Sequence, residues 1–505
     1  MHDIRSKLHP TLDEFEVLAE TSNIIAISTE ITTDLDTPVS TYYKLVGDNK
    51  GFILESVDTT HQQFGRYSFI GADPFVRLQI FKNRLMINEN DLMKCIDGNP
   101  VDTINKYISS FIPSQLIDEL PLANGGLVGY FNFEIAATFD RVRGVDIGED
   151  ELLGEFMMCR TMIIFDALKN SAHVICLAKV SDSDEADDVY ETTVHRMESI
   201  RDKFLSAIPR KDSSAQKRKE KVDFMKRYAH APEGVMDAIR KAKEYIYAGD
   251  IFQVVPSFRF TEKITKPAFH FYRRLRQVNP SPYMFYLNFG NTKLVGASPE
   301  RLIKVSDGMV YTYPIAGTRR RGKNEAEDIA LADDLKNDEK ECAEHSMLVD
   351  LARNDIGRVS EPGTVHVTKF RSIEKFSHVI HMVSEVVGKL KDGLTPMDVF
   401  KFAFPAGTVS GAPKLRAMEI INELEPVRRG SYAGSVGYID FCGNMDVCIT
   451  LRTMRIENDE NAYIQSGAGI VADSIPEHEY QEFLQKSKAL FEVVEEVEND
   501  VVAFN

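Results

Sequence analysis

The feature that most constrains the fold is a polar stretch from Ser206 to Lys221, SAIPRKDSSAQKRKEK, in a chain of 505 residues. It consists mainly of Ser, Lys and Arg with almost no apolar residues, which is typical of an exposed linker. Because such a segment cannot join a hydrophobic core, the chain must fold on either side of it. We predict an N-terminal domain over residues 1–205, a linker over 206–224 and a C-terminal domain over 225–505.

Segments with strand-like and helix-like patterns occur on both sides of this linker. Before it, Phe52–Val57 and the hairpin-like run Thr161–Ala178 favour an antiparallel sheet. After it we predict strand-like runs, among them YAGSVGYIDF, VCITLRTM, AYIQSGAGIV and SHVIHMVSEVVG, and helices over Val235–Ile246, Leu331–Ala352 and Lys414–Leu424 and from Ser474 onward. The mixture predicts an α+β fold with antiparallel sheets.

Composition excludes several classes of function. The formal net charge of −17 argues against a nucleic-acid surface, and it requires any anionic substrate to be attracted by a few local cations. No apolar run approaches the roughly 20 residues that cross a bilayer, and the first residues do not resemble a secretory signal. The six cysteines are scattered, which predicts reduced thiols. We therefore expect a cytoplasmic protein that binds neither nucleic acid nor membrane.

Two pairs of glutamates are spaced so that each projects from one helical face. Glu341 and Glu344 form one pair, and Glu479 and Glu482 form the other. Such pairs are common on solvated helices, but the first lies in a partly apolar helix, where like charges destabilise unless a cation offsets them. Magnesium prefers oxygen ligands and needs only one or two carboxylates. Lys486, four residues after Glu482, either pairs with it or is aimed at a substrate carboxylate.

Glycine-rich turns and isolated polar residues are further candidates. The segments PIAGT, FPAGTVSGAPK, RRGSYAGSVGY and QSGAGIV allow a ligand to approach the backbone, although tight turns and bulges explain most such clusters. His381 suits general-base chemistry or a hydrogen-bonded core position. Glu300, after Pro299, is either a turn carboxylate or a general acid. The residues alone leave these alternatives open.

Taken in order, nine segments of the chain resemble the chorismate-utilising enzyme family: SPYMFYL, GASPERL, YPIAGTRRRG, DEKECAEH, LVDLARND, FPAGTVSGAPKLRAME, RGSYAGSVGY, ITLRTM and SGAGIVADS. The resemblance extends before the linker through FILES and YSFIG. It implies a fold of two large antiparallel β-sheets packed with surrounding helices around an active cleft. It also implies that the C-terminal domain binds chorismate and carries the catalysis.

The resemblance assigns roles to individual residues. By position, Glu344 and Glu482 match the family's Mg²⁺ ligands, with Glu341 and Glu479 orienting metal-bound waters. Glu300 matches an acid that protonates the departing ring hydroxyl, and His381 matches a base that removes a ring proton as pyruvate leaves. Thr408 matches a further residue of the catalytic site. The implied chorismate contacts are Gly317, Thr318, Tyr432, Arg452, Gly467, Ala468, Gly469 and Lys486.

Two positions indicate the branch of the family. Isochorismate- and salicylate-forming members have a water-activating lysine where this chain has Gln253, so ammonia is the expected nucleophile. Aminodeoxychorismate synthases have the pattern PIKGT, whereas this chain has Ala316. The resemblance therefore implies the branch that forms anthranilate, the first committed product of tryptophan biosynthesis. Aminodeoxychorismate synthase component I is the alternative.

The resemblance also implies partners and regulation. No cysteine lies in the glycine-rich nucleophile turn that glutamine hydrolysis requires, so a separate glutamine amidotransferase subunit is expected to supply ammonia. Two copies of each subunit are expected in the assembly. Ser56 in the N-terminal domain, together with Pro282, Tyr283 and Met284, matches a site for feedback inhibition by tryptophan. Core packing and a strand-end hydroxyl are the structural alternatives for these residues.

Overall fold

Strand-forming segments dominate the chain, and their pairing determines where the candidate residues meet. The computed structural model describes residues 7–56, 66–114, 120–181, 183–208, 223–232, 234–375 and 379–499. Its strands are β1 Ile24–Thr32, β2 Gly51–Glu55, β3 Tyr67–Ile80, β4 Arg84–Glu89, β5 Leu92–Asp97, β6 Gly126–Phe131, β7 Gly154–Asp166, β8 Ser171–Lys179, β9 Gln253–Val254, β10 Ser257–Lys263, β11 Tyr283–Asn288, β12 Thr292–Ser298, β13 Arg301–Ser306, β14 Met309–Thr312, β15 Ile315–Arg320, β16 His366–Lys375, β17 Val379–Lys389, β18 Gly411–Ala412, β19 Ser435–Asp440, β20 Met445–Ile449, β21 Thr453–Glu457 and β22 Asn461–Gly467.

Helices, several of which begin at a side-chain N-cap, pack around these strands. They are α1 Leu12–Ala19, α2 Pro38–Leu45, α3 Pro100–Ile108, α4 Ala136–Phe139, α5 Ala186–Leu205, α6 Phe224–Arg227, α7 Val235–Tyr247, α8 Ala268–Val278, α9 Glu325–Asn337, α10 Glu339–Gly357, α11 Pro396–Ala403, α12 Lys414–Leu424 and α13 Pro476–Glu498. None of the helices in the described ranges combines the length and the hydrophobicity that a membrane span requires.

The strands form two antiparallel rows that share the long pair β3 and β7. One row continues through β6, β19, β20, β13 and β14 to β17, which also pairs with β15 and β16. The other continues through β2, β11, β12, β21 and β22 to β10. Every pairing between these strands is antiparallel, which confirms the predicted fold class.

Strands from both sides of the predicted linker pair with each other. β2 pairs with β11, and β6 pairs with β19. The division into residues 1–205 and 225–505 stays a prediction, but both parts contribute strands to both rows. Most of the linker, residues 209–222, lies outside the described residues. Phe224, predicted as its last residue, is buried and stacks on Phe491.

Several predicted elements are confirmed, and the boundaries of others were wrong. α7, α12 and β17 form where the sequence places them. The single helix predicted over Leu331–Ala352 is two helices, because the Asp338 side chain accepts a hydrogen bond from the backbone of Glu341 and starts α10. Ser474 is not the N-cap of α13, because its hydroxyl accepts instead from the backbone of Val471.

A further boundary error bears on the site. The run VCITLRTM is not one strand but the end of β20 and the start of β21. Residues 450–452 leave the strand between them, and Arg452 has a φ of 47°. This left-handed conformation is uncommon for a residue other than glycine. Because of this break, the Arg452 side chain does not follow the alternation of side chains between the two faces of a strand.

Candidate active site

Glu300 lies in the turn between β12 and β13, and Thr408 lies in a short helical turn before β18. The Thr408 hydroxyl donates a hydrogen bond of 2.9 Å to Oε1 of Glu300. Burial raises the pKa of Glu300 to about 7, while the Thr408 hydrogen bond and the charges of Lys486 and Arg452 act in the opposite direction. A carboxyl group that titrates near neutral pH is suited to general acid catalysis. The structure thus joins two residues predicted as catalytic from separate motifs.

Arg452 is a cation near this acid. Burial lowers its pKa, and the nearby Tyr432, Glu482 and Glu300 act to raise it. Within the described part of the chain, its guanidinium makes no hydrogen bond or ion pair. A guanidinium group presents planar donors that match a carboxylate. Arg452 is therefore placed to bind an anion next to Glu300.

Lys486 contributes a second positive charge near the same carboxyl group. Its ammonium is 2.6 Å from the Glu482 carboxylate, four residues earlier on α13. It also donates a hydrogen bond of 2.9 Å to the carbonyl of Gly467 at the end of β22. Both alternatives for Lys486 are consistent with this geometry, since the residue is ion-paired and also contributes positive charge near Glu300.

The loop after β22 approaches two predicted residues closely. A Cβ atom on Gly467 would lie 2.7 Å from the Tyr432 hydroxyl, and one on Gly469 would lie 2.6 Å from Nε2 of Gln253. These positions require glycine because side chains already occupy the space. The amide of Ala468 donates to the carbonyl of Pro256 at 3.3 Å. Of the three predicted amides, that of Ala468 is therefore engaged within the protein.

A second group of predicted residues surrounds His381 on β17. Thr318 is paired with His381 across the ladder between β15 and β17. Nδ1 of His381 is 3.1 Å from the Gly317 carbonyl and 3.1 Å from the Thr318 hydroxyl. A carbonyl only accepts hydrogen bonds, so Nδ1 carries the proton and Nε2 keeps its lone pair. Burial lowers the pKa of His381, which favours the neutral ring.

Helix α10 connects the two groups. Near its start, a Cβ atom on Gly317 would be 3.2 Å from Oε2 of Glu341, and further along, Leu351 packs against Gly407, next to Thr408. Glu344 follows Glu341 by three residues and precedes Leu351 by seven. This spacing places the three side chains on one face of the helix. Glu344 therefore lies on the face of α10 that passes from the His381 group to the Glu300 group.

The four predicted magnesium-site carboxylates lie on α10 and α13. Glu344 and Glu482 are exposed, whereas burial and the charge of Glu482 raise the pKa of Glu479. No group of three or more His, Cys, Asp or Glu side chains in the described ranges is close enough to hold a metal ion. Exposed carboxylate oxygens still fit Mg²⁺, which retains several waters and takes oxygens from its substrate.

Arg319 is a residue that the sequence did not single out. Its guanidinium contacts three carboxylates: Asp334 at 2.7 Å, Asp338 at 2.8 Å and Glu341 at 3.2 Å. It thereby fixes the junction of α9 and α10 against β15. The only sequence signal was the triple arginine after PIAGT, which also fits an exposed loop.

The predicted regulatory residues meet at the ends of two paired strands. Met284 pairs with Glu55, which places Tyr283, preceded by Pro282, opposite Ser56. The Ser56 hydroxyl is buried without a hydrogen-bond partner among the described residues. The Tyr283 hydroxyl donates to Asp446 at 2.8 Å, and Met284 is buried in the core. The group is therefore assembled, and core packing accounts for Met284.

All six cysteines are reduced thiols, as the sequence predicts. Burial raises the pKa of Cys159, Cys176 and Cys448. A nucleophilic cysteine needs a lowered thiol pKa. These three buried thiols therefore have a structural role.

Comparisons with known proteins agree with this geometry. Residues 52–492 match the family model described as chorismate binding enzyme. Anthranilate synthase component 1 of Acetivibrio thermocellus is 43% identical over 97% of this chain and 99% of its own. That of Pseudomonas aeruginosa is 40% identical over 97% and 99%.

Solved structures show the same relationship. The crystal structure of anthranilate synthase component I from Streptococcus pneumoniae TIGR4 covers 91% of this chain and 98% of its own, with 37% identity and a TM-score of 0.71. The menaquinone-specific isochorismate synthase of Escherichia coli, 19% identical over 96% and 98% with a TM-score of 0.69, shares the fold. The chain therefore belongs to the chorismate binding enzyme family, within the group of anthranilate synthase component 1.

Proposed function

We propose that the chain converts chorismate and ammonia to anthranilate, pyruvate and water. The observation that carries the proposal is the Glu300 carboxyl group, which has a pKa of about 7, accepts a hydrogen bond from Thr408 and lies near the charges of Lys486 and Arg452. This arrangement combines a proton donor with cations that attract a dianion. The names of its relatives support the same reaction, and Gln253 and Ala316 support ammonia as nucleophile and anthranilate as product.

Chorismate binding relies on local charge because the whole chain is acidic. Arg452 binds one carboxylate through its planar donors, and Tyr432, Lys486 and the backbone around Gly467 line the same space. Gly317 and Thr318 approach the substrate from β15. The left-handed Gly317, with a φ of 76°, brings its carbonyl to His381.

The first step is an allylic displacement of the ring hydroxyl. Glu300 gives its proton to the departing oxygen, which leaves as water while ammonia adds to the ring. Thr408 orients the carboxyl group through its hydrogen bond. Gln253, beside Gly469, is an amide that cannot activate water as a base. This favours the amine over the hydroxylated product.

The second step removes the enolpyruvyl group. His381 takes the ring proton on Nε2 while the C–O bond to the side chain breaks. The side chain leaves as the enolate of pyruvate, which takes up a proton on its methylene carbon to give pyruvate. The neutral form of His381 is available because burial lowers its pKa, and the Gly317 carbonyl fixes the ring orientation through Nδ1. Formation of the aromatic ring drives this step.

Mg²⁺ would be held by Glu344 and Glu482, with Glu341 and Glu479 orienting its waters. When bound, it would neutralise substrate carboxylate charge and hold the ring in place. The exposure of the first two carboxylates and the crowding of Glu479 by Glu482 support this assignment.

We further propose a cytoplasmic assembly with a glutamine amidotransferase that supplies ammonia, two copies of each subunit, and inhibition by tryptophan. The relatives' name, component 1, implies a partner subunit. The Ser56 hydroxyl is buried opposite Tyr283 without a hydrogen-bond partner among the described residues, and this supports a ligand site there because such a hydroxyl is unfavourable.

Purified chain, chorismate, Mg²⁺ and an ammonium salt at alkaline pH test the reaction. Fluorescent anthranilate is expected, and its absence would refute the proposal. Accumulation of aminodeoxychorismate would show that Ala316 does not define the branch. Glu344→Gln and Glu482→Gln should abolish turnover that depends on Mg²⁺ while the circular dichroism spectrum stays unchanged. The matched control is Glu339→Gln, an exposed glutamate at the start of α10.

Tryptophan regulation is tested separately on the active chain. Tryptophan should inhibit the wild-type chain, and Ser56→Ala should reduce this effect while retaining turnover without tryptophan. Equal inhibition of both would place the regulatory site elsewhere.

A further inference from the structure

The turn that carries Glu300 is fastened at several points. The Ser298 hydroxyl donates a hydrogen bond to the Ile449 carbonyl, and the Ile449 amide donates to the Glu300 carbonyl at 3.0 Å. Both contacts hold the turn against β20, the strand that leads into Arg452. A further contact is made by the next residue, Arg301, whose side chain is 8% exposed. What Arg301 binds therefore helps to decide where the Glu300 carboxyl group lies.

Arg301 forms a closed triad with Tyr283 and Asp446. Its Nε donates a hydrogen bond to the Tyr283 hydroxyl, which donates in turn to Oδ1 of Asp446 at 2.8 Å. Nε of Arg301 is also 3.4 Å from the same Asp446 oxygen. The guanidinium group lies over the ring of Tyr313, with 4.6 Å between the guanidinium carbon and the ring centroid. A planar group that is both bonded and stacked in this way has little freedom to move.

The members of the triad come from three strands with different tasks. Tyr283 begins β11 and lies opposite Ser56, in the group that matches a tryptophan site. Arg301 begins β13, directly after Glu300, and Asp446 lies on β20, to which the turn is fastened. The Tyr283 hydroxyl therefore joins the predicted regulatory group directly to the segment that carries the proposed acid.

A ligand beside Ser56 can act on this contact because a tyrosine hydroxyl has one proton to donate. In the structure that proton is given to Asp446. A bound amino acid carries a carboxylate that competes for the Tyr283 hydroxyl and for Arg301, and an ammonium group that competes for the Asp446 oxygen. Either competition would loosen Arg301 and, with it, the turn that carries Glu300.

We propose that Arg301 is a positioning residue for Glu300, and that its hydrogen bond with Tyr283 is the contact through which tryptophan bound beside Ser56 lowers activity. The positioning role stands on the triad, whereas the regulatory role rests on the proposed function. A ligand shifts the triad only if it binds two of its arrangements with different affinities. Linkage then requires chorismate to weaken tryptophan binding by the same factor by which tryptophan weakens chorismate binding.

Equilibrium dialysis of labelled tryptophan against the intact chain, with and without chorismate, measures this factor. Mg²⁺ is present, and ammonia and glutamine are left out so that chorismate is not converted. Chorismate should raise the dissociation constant of tryptophan for the wild type by about 5–150-fold, the usual range for coupled sites. Tyr283→Phe keeps the ring and loses the hydroxyl, and Arg301→Lys keeps the charge and loses the planar group. Both variants should still bind tryptophan, and chorismate should leave its dissociation constant nearly unchanged.

Tyr228→Phe is the matched control. The Tyr228 hydroxyl donates to Glu262 at 2.8 Å, and Arg227 pairs with the same carboxylate at 2.9 Å, so this triad has the same kinds of side chain in another part of the chain. The linkage factor of Tyr228→Phe should equal that of the wild type. In rate measurements without tryptophan, Arg301→Lys should lower kcat by about tenfold or more, while KM for chorismate changes less, because Glu300 acts in the chemical step.

Several outcomes would overturn the proposal. A wild-type linkage factor in Tyr283→Phe and Arg301→Lys would refute the coupling contact, and an unchanged kcat in Arg301→Lys would refute the positioning role. Loss of tryptophan binding in either variant would show that the triad only forms part of the tryptophan site. A wild-type chain that binds no tryptophan would refute the regulatory role. The dialysis requires no turnover, so a chain that shows the linkage but makes no anthranilate would refute the proposed reaction alone.

Discussion

Replacing Thr408 by valine removes one hydroxyl from the site while nearly preserving the shape of the side chain. That hydroxyl donates a 2.9 Å hydrogen bond to Glu300 and favours the ionised carboxylate. A hydrogen bond to a charged group contributes about 1.5–3 kcal/mol, and about 1.4 kcal/mol corresponds to one pH unit in a titration. Glu300 in Thr408→Val should therefore stay protonated to a pH about one unit higher or more.

The pH dependence of kcat/KM for chorismate is the appropriate measurement, because it reports the titration of the free enzyme. Rates of anthranilate formation would be followed by fluorescence at saturating Mg²⁺ and a constant concentration of free ammonia. A general acid must be protonated, so the wild-type profile should fall as pH rises through about 7. Thr408→Val should move this alkaline limb to higher pH. Glu300→Gln should remove the limb and lower kcat/KM by about 10²–10⁴-fold.

Thr368→Val is a matched control, because Thr368 donates a hydrogen bond to the Glu385 carboxylate on β16 and β17, outside the contacts of Glu300. Its alkaline limb should coincide with that of the wild type. An alkaline limb that stays in place in Thr408→Val, or that moves equally in Thr368→Val, would refute Glu300 as the titrating acid.

Three further predictions concern stability and metal use. The pKa of Glu300 is about 7 in the folded chain and 4.5 ordinarily, so between these values the folded chain holds a proton that the unfolded chain has lost, and the free energy of unfolding falls as pH rises. The melting temperature of Glu300→Gln relative to that of the wild type should therefore rise from pH 5 to pH 8. A constant difference between the two melting temperatures would contradict this prediction. Gly317→Ala should lose activity and about 1–3 kcal/mol of stability in denaturant unfolding, because its φ is 76° and its Cβ would lie 2.8 Å from Leu335. Arg319→Gln should raise the Mg²⁺ concentration that gives the half-maximal rate, because Glu341 loses its ion pair with Arg319. The KM for chorismate should change less. An unchanged dependence of the rate on Mg²⁺ would refute this positioning role.

Local sequence rules correctly predicted those helices whose first and last residues depend on neighbouring residues in the sequence. α12 begins after Pro413, and α7 ends before Gly249, which has a φ of 82°. The same rules failed at Asp338, where composition was uniformly helical and one side-chain hydrogen bond divided the segment. They also failed at residues 450–452, because only the tertiary surroundings hold Arg452 in a left-handed conformation.

By itself, the sequence determined the chemistry that is available. The sequence contains the side chains that the site needs, namely the glutamate pairs, Glu300, His381 and the glycine turns. The order of its motifs indicates the family. Contacts between positions far apart in the sequence determined whether the functional or the structural alternative applied to each of these residues. Glu300 meets Thr408 across 108 residues, and no local pattern encodes that contact.

Tertiary structure alone decided the protonation and charge of the site. A glutamate in a turn is ordinarily ionised at neutral pH, and burial brings the pKa of Glu300 to about 7 although the charges of Lys486 and Arg452 act to lower it. Desolvation and through-space charge depend on what surrounds a group in three dimensions, so neither can be obtained from residue order.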